Sequence, residues 1–315
     1  MPAEKPESAS PTLPQLSGRP MVTDGGLETD LIFNRGVDLP EFAAFPLVDD
    51  AAGRRLLADY YGEYASIAAR AGAGLVLESP TWRANPDWGA RLGRSVDALT
   101  RANTAAIDLL HALRSRYAAD VSDVVVGGVV GPRGDGYRSD GTTDPAEAAA
   151  YHRPQLAAFA DAGADVVTAY TLTDPGEAVG IVLAGREVGL PVAISFTVEL
   201  DGRLPDGTPL PEAVIAVDEA ARPDYYLVNC AHPHHVLSAL DPSAETLWRS
   251  RILGMRYNAS TRSHAELDDA VDLDAGDLGV LAAGHSRVVD HLGPLSVVGG
   301  CCGTDASHVA RLWGV

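Results

Sequence analysis

Short apolar runs rich in valine and leucine alternate with longer amphipathic stretches along almost the whole chain. Continuous apolar strands fit a parallel sheet that is covered on both faces, and helical periodicity between them fits the covering helices. The pattern predicts strands at 20–23, 75–77, 124–130, 165–170, 192–197, 225–228, 252–255 and 295–298. It predicts helices at 51–71, 96–117, 145–162, 175–188, 211–221, 234–240, 278–292 and 305–313.

Eight strands, mostly followed by helices, favour closure into a (β/α)8 barrel of the TIM type, which is an α/β fold. The 315 residues of the chain suit one such barrel, which typically takes about 250. An open doubly wound sheet is the alternative, but no Gly-x-Gly-x-x-Gly fingerprint follows the first strand. We therefore predict a single barrel domain over residues 19–315.

Residues 1–18 differ in composition from the rest of the chain. They are rich in Pro, Ser and Glu, and they lack the basic start and apolar run of a signal peptide. This composition predicts a disordered N-terminal tail. We expect a chain that starts near Arg19 to keep its stability and activity.

Charge and cysteine content restrict the partners of the protein. The formal net charge of −19 argues against nucleic acid or an anionic membrane surface, because both need basic patches. No uninterrupted apolar run reaches the roughly 18 residues of a membrane span. The cysteines are odd in number, with two adjacent, so they form no disulfide framework and suit the reduced cytoplasm. We expect a cytoplasmic protein with small-molecule partners, whose oligomeric state the sequence does not specify.

All three cysteines lie at predicted strand ends, with Cys230 after the sixth strand and Cys301 and Cys302 after the eighth. The loops that follow the strands build the active site of a barrel, so these thiols are expected to converge. Three protein ligands with an open fourth position are typical of catalytic zinc, at about 2.3 Å from each sulfur. Burial as small hydrophobic residues is the alternative. The glycine and polar residues that flank the cysteines favour the Zn²⁺ site.

Three segments together resemble the homocysteine S-methyltransferases, in the order of that family: TDGGLET at 23–29, VNC at 228–230 and GGCCGT at 299–304. The resemblance runs from about residue 20 to 315. It implies a zinc-bearing barrel that transfers a methyl group to the thiol of homocysteine, giving methionine. We expect an onium donor, because a neutral thioether leaves without a general acid. S-methylmethionine, S-adenosylmethionine and betaine-like donors all remain open.

The resemblance also implies substrate-binding residues. It places Asp24, Gly25 and Gly26 at the amino-acid end of the acceptor and Asn229 beside the zinc, and Glu28 matches the family as well. Polar side chains at other predicted strand ends complete the set of expected substrate contacts: Tyr170, Ser195 and Asn258.

Tyr170 marks a departure from the family. Family members usually carry a glutamate at this place, which pairs with the ammonium group of the acceptor. A tyrosine hydroxyl supplies no negative charge, so recognition of the ammonium group is expected to rest on Asp24 or on another residue. A different thiol acceptor therefore remains an alternative to homocysteine.

Two other functions and one other ligand set remain open. A zinc hydrolase is less consistent with an all-thiolate site, which acidifies water poorly, and a non-catalytic thiol sensor is less consistent with three intact cysteines. His232, His234 and His235 lie near Cys230, and His232 is a possible third or fourth ligand. Capping or packing of the following short helix is the preferred interpretation of these histidines.

Overall fold

The computed structural model describes residues 13–139, 141–240 and 247–315. Eight parallel strands close into a barrel in chain order, and β1 pairs with both β2 and β8. The predicted single-domain (β/α)8 barrel is confirmed. The strands are β1 (Met21–Val22), β2 (Gly74–Glu78), β3 (Val124–Val130), β4 (Val166–Leu172), β5 (Val192–Phe196), β6 (Tyr225–Ala231), β7 (Ile252–Tyr257) and β8 (Val297–Gly300).

The helices lie outside this sheet, and α2, α4, α6 and α10 have the predicted bounds. None of the helices in the described ranges is both long and apolar enough to cross a membrane. The α-helices are α1 (Leu27–Thr29), α2 (Ala51–Ala71), α3 (Pro86–Arg91), α4 (Val96–Tyr117), α5 (Pro145–Asp161), α6 (Pro175–Val188), α7 (Leu210–Ala221), α8 (Pro233–Ser238), α9 (His264–Asp268), α10 (Leu278–Leu292) and α11 (Ala306–Trp313).

Aspartate caps fix where several loops end and helices begin. Asp144 and Asp174 each accept hydrogen bonds from two backbone N–H groups in the first turns of α5 and α6. Pro145 and Pro175 follow at the first helical position, where the missing N–H has no helical partner in any case. The loops that follow β3 and β4 therefore end at Asp144 and Asp174.

Several strands run further toward the carboxyl end of the barrel than predicted. The extra residues include polar and charged ones, which resemble loop residues when the sequence is read alone. Strand β2 reaches Glu78, β4 reaches Leu172, β6 reaches Ala231 and β7 reaches Tyr257. These added residues carry much of the candidate site.

The predicted disordered tail is wrong for residues 13–18, whereas residues 1–12 lie outside the described ranges. Pro14–Ser17 form a 3-10 turn. Leu13 is 2% exposed and belongs to the barrel-interior cluster with Met21 and Tyr225. Gln15 Nε2 donates a hydrogen bond to Tyr225 Oη at 3.2 Å. Two leucines, Leu13 and Leu16, among polar residues and prolines are too few to show a periodicity. The sequence alone therefore does not indicate that this segment closes the amino-terminal end of the barrel.

Substitution of Leu13 tests this closure. Leu13→Ala should lower the free energy of unfolding by about 2–5 kcal/mol, because a buried leucine leaves a cavity when it is truncated. Leu16→Ala, at a neighbouring leucine that is 42% exposed, is the matched control and should change stability little. Urea unfolding of both variants measures the difference. Equal stability of the two variants would show that Leu13 contributes nothing to the barrel.

Candidate active site

The three cysteines converge at the carboxyl ends of β6 and β8. Cys230 Sγ lies 2.9 Å from Cys301 Sγ and 3.3 Å from Cys302 Sγ, and all three thiols are free. Hydrogen bonding with Cys230, and then with Cys302, holds the pKa of Cys301 well below its usual value. Their sulfur atoms lie within 4.8 Å of one another, and among the described residues this is the group that can hold a metal ion.

The backbone is bent into an unusual conformation where β4 and β6 meet the site. Thr171 has φ of 62° and Cys230 has φ of 53°, a left-handed region that non-glycine residues rarely adopt. Asn229, which precedes Cys230, stabilises the bend at Thr171: its Oδ1 accepts from Thr171 N at 2.8 Å and its Nδ2 donates to Thr171 Oγ1 at 2.8 Å. Ser195 Oγ donates to the same Oδ1 at 2.7 Å. Ser195 therefore lies behind Asn229 rather than in the cleft.

The glycines after β1 allow the loops after β1 and β8 to lie against each other. A Cβ on Gly26 would stand 2.5 Å from the carbonyl oxygen of Cys301, and one on Gly25 would stand 2.6 Å from the hydroxyl of Tyr64. Real Cβ atoms do not tolerate such distances. Gly25 and Gly26 thus hold the predicted substrate loop directly beside the cysteine cluster.

A buried arginine that the sequence analysis missed crosses the floor of the site. Arg256, near the end of β7, forms ion pairs with Asp24 and with Glu78, the latter at 2.5 Å. Its Nε donates to the carbonyl of Gly300 at 2.8 Å, and Nη2 donates to the carbonyl of Gly25 at 2.9 Å. Burial opposes the charge, but Asp24 and Glu78 together raise the pKa of Arg256.

Both carboxylates in this network also accept bonds from hydroxyl groups. Tyr60 Oη donates to Asp24 Oδ2 at 3.1 Å, and Thr23 Oγ1 donates to Glu78 Oε2 at 2.8 Å. Burial raises the pKa of Asp24 to about 6, although Arg256 acts in the opposite direction. Asp24 and Glu78 therefore accept hydrogen bonds and ion pairs from other side chains of the protein.

Tyr170 lies in the cleft at the end of β4, as expected. Its hydroxyl donates to Glu78 Oε1 at 2.6 Å, and Arg256 lies over its ring with the guanidinium carbon 4.8 Å from the ring centre. Burial, and then the charge of Glu78, raises the pKa of Tyr170. The hydroxyl proton of Tyr170 is therefore used in the hydrogen bond to Glu78.

The inner cleft contains all three thiols and has a volume of about 630 Å³, including the part that is open to solvent. Glu28 also lines it, and burial raises the pKa of this carboxyl to about 7. Besides the cysteines and Glu28, the residues that line the inner cleft include Asp24, Gly25, Gly26, Glu78, Trp82, Tyr137, Tyr170, Thr171, Asn229 and Arg256.

An outer chamber of about 1080 Å³ adjoins the cleft and shares Cys302 with it. Tyr137, also missed in the sequence, lines both spaces, and its hydroxyl lies 3.1 Å from Cys230 Sγ and 3.4 Å from Cys302 Sγ. Asn258 lines the outer chamber and not the inner cleft. Aromatic and charged side chains make up much of the remaining wall: Phe33, Phe42, Trp82, Arg83, Asp135, His264, Asp268, Asp272 and Asp274.

The histidines near Cys230 are not part of the thiol cluster. His232 precedes α8, and its Nδ1 accepts a hydrogen bond from the backbone N–H of His234 at 3.2 Å. His235 Nε2 contacts the carbonyl of Thr261 at 3.1 Å. Their preferred interpretation, which was capping and packing of a short helix, is confirmed.

Fold and site together define a (β/α)8-barrel protein with a three-thiol centre at the face where barrel enzymes carry their active sites. The family model for homocysteine S-methyltransferase matches residues 21–313. Homocysteine S-methyltransferase of Escherichia coli K12 is 27% identical over 312 residues, which cover 93% of this chain and 94% of that protein. Homocysteine S-methyltransferase YbgG of Bacillus subtilis 168 is 25% identical over 60% of each chain.

The crystal structure of the E. coli homocysteine methyltransferase MmuM, described as its metallated form, has a similar fold. Its TM-score is 0.69 at 23% identity, and the alignment covers 94% of this chain and 96% of that one. The chain belongs to the homocysteine S-methyltransferase family, and it is a methyltransferase.

Removal of the central arginine tests the network on the floor of the site. Arg256→Met should lower the free energy of unfolding by about 3–5 kcal/mol, because two buried carboxylates lose their cation. Arg153→Met removes an exposed arginine paired with Glu187 and should have little effect. Urea unfolding of both variants provides the comparison. A similar small loss in each would mean that the buried ion pairs contribute no more than a surface pair.

Proposed function

We propose that the enzyme transfers a methyl group from a sulfonium donor to the thiol of homocysteine, giving methionine, with Zn²⁺ held by Cys230, Cys301 and Cys302. The observation that carries this proposal is the convergence of three free thiols in one cleft. A ligand set of sulfur alone is soft and suits zinc rather than magnesium, calcium or manganese. Three protein ligands also leave a position for the sulfur of the acceptor.

When bound there, zinc would lower the pKa of the acceptor thiol, so that its proton goes to solvent and its sulfur is present as a nucleophilic thiolate. The thiolate attacks the methyl carbon of the donor, and a new carbon–sulfur bond forms as the old one breaks. The electron pair of the broken bond stays with the donor sulfur, which leaves as a neutral thioether. No proton transfer to the leaving group is required.

The chain contributes position and surroundings to this reaction. Asn229 Nδ2 lies 3.8 Å from Cys301 Sγ and, with Ser195 behind it, orients the loops that carry the thiols. The acceptor is proposed to lie in the inner cleft beside Asp24, Gly25, Gly26, Glu28 and Tyr170, since that cleft contains all three thiols. Asn258 is proposed as a contact for the donor, because it lines the outer chamber.

The outer chamber supports a donor with positive charge. Its wall carries the carboxylates of Asp135, Asp268, Asp272 and Asp274 beside the ring of Tyr137. These four charges outnumber that of the Arg83 guanidinium, which lies over the rings of Phe42 and Trp82. Aromatic faces and carboxylates both attract a sulfonium or ammonium centre. S-Methylmethionine and S-adenosylmethionine each carry a sulfonium, an ammonium and a carboxylate and are therefore positively charged overall, whereas betaine is neutral overall. The two sulfonium donors therefore fit this acidic wall better.

A matrix of donors and acceptors tests the reaction. The zinc-loaded protein should methylate homocysteine with S-methylmethionine or S-adenosylmethionine, and turnover with betaine should be at least about tenfold lower, because betaine lacks the second positive group that an acidic wall attracts. Mass spectrometry of the thioether products measures both. Faster turnover with betaine would overturn the donor assignment, and turnover of none of the pairs would overturn the proposed reaction.

Substitution of a single cysteine tests the metal assignment. Cys301→Ala should release zinc and reduce turnover at least about a hundredfold, because two thiolates hold the ion poorly. The barrel should remain folded, since its core does not include the site. Metal analysis should give one zinc per chain for the original protein, and circular dichroism checks the fold of the variant. Full zinc retention in Cys301→Ala would contradict the ligand assignment.

A further inference from the structure

The inner cleft contains three carboxylates, and two of them already form ion pairs with an arginine of the protein. Asp24 pairs with Arg256 and accepts a hydrogen bond from Tyr60. Glu78 pairs with the same guanidinium and accepts hydrogen bonds from Thr23 and Tyr170. An incoming ammonium group would have to share either carboxylate with the guanidinium that already neutralises it. Two cations at one carboxylate repel each other, so the second gains less than it would at a carboxylate without a cation.

Glu28 is the carboxylate of the cleft that lacks such partners. Within the described part of the chain, no guanidinium or imidazole nitrogen lies within 4.0 Å of it, and no other side chain donates a hydrogen bond to it. Arg256 and Arg83 are the cations close enough to influence its charge, and neither forms an ion pair with it. The negative charges of Asp24 and Cys301 act in the same direction as burial and raise the pKa of Glu28 further.

The position of Glu28 relates it to the acceptor rather than to the donor. Glu28 lines the inner cleft together with all three thiols, whereas the outer chamber contains Cys302 alone and not Glu28. The acceptor sulfur must reach the thiol cluster. A carboxylate in the same cleft is therefore placed to meet the other end of a small thiol acceptor.

We infer that Glu28 binds the ammonium group of the acceptor and so selects an amino-acid thiol over a thiol that lacks the amino group. The inference rests on the proposed function, since it assumes that the acceptor occupies the inner cleft. An ammonium group supplies hydrogen-bond donors and a positive charge to a carboxylate that burial otherwise pushes toward protonation. Glu28 thereby takes the place of the glutamate that Tyr170 does not provide, while Arg256 keeps Asp24 and Glu78 out of this role.

Two acceptors that differ in the amino group alone test the inference. Homocysteine and 4-mercaptobutanoate share the thiol, the carbon chain and the carboxylate. Glu28→Gln should raise KM for homocysteine about tenfold to a hundredfold and change kcat less than about threefold, because a charge-assisted contact made equally in ground and transition states is lost. KM for 4-mercaptobutanoate should stay within about threefold. Glu212→Gln, the same change at an exposed position of α7, should alter neither value.

Binding measured by calorimetry on zinc-loaded protein gives a readout that does not depend on turnover. The preference of the original protein for homocysteine over 4-mercaptobutanoate should shrink about tenfold or more in Glu28→Gln. Equal loss for both thiols would show that Glu28 is structural, and loss of the preference in Asp24→Asn but not in Glu28→Gln would assign the ammonium group to Asp24. If neither thiol binds the original protein, the proposed function fails and the inference fails with it.

Discussion

The catalytic end of the barrel depends on one buried guanidinium. Arg256 leaves β7 and bonds to a carbonyl of β8, to Asp24 after β1 and to Glu78 at the end of β2. A buried ion pair is weak as a source of stability when it is complete, but the loss of one partner is strongly unfavourable. Asp24, Glu78 and Arg256 are distant in the sequence, but the loss of any one of them leaves a buried charge unpaired. It also fixes four strand ends relative to one another beneath the cysteine cluster.

The cysteine cluster is joined to these strand ends through a strained backbone. Cys230 and Thr171 occupy left-handed conformations, each of which costs on the order of 1–3 kcal/mol. Asn229 bonds to both the backbone and the side chain of Thr171, and Ser195 holds Asn229 in turn. Strain of this kind persists because the surrounding bonds allow no alternative. The direction in which Cys230 points is thus set by residues of β4, β5 and β6 together.

The sequence predicted the barrel and its three thiols, because both appear in local patterns: short continuous apolar runs for the strands, and adjacent cysteines beside glycines for the site. Glu78, Tyr137 and Arg256 were missed. Glu78 and Arg256 are 178 positions apart, so neither explains the other until the fold brings them together. Glu78 had one local signal, since it follows Val76 by two residues on a strand. Val76 faces the barrel interior, and the same alternation carries Glu78 inward.

The closure of the amino-terminal end of the barrel by Leu13 and Gln15 has a consequence for gene expression. Met21 is the first residue of β1, and translation that began there would produce a chain with every cysteine and every charged residue of the cleft. Such a product would contain the reaction chemistry and yet lack the segment that covers Tyr225. Water would then reach the base of the interior from the side opposite to the substrates. Translation from Met21 would therefore give a barrel whose amino-terminal end is left uncovered.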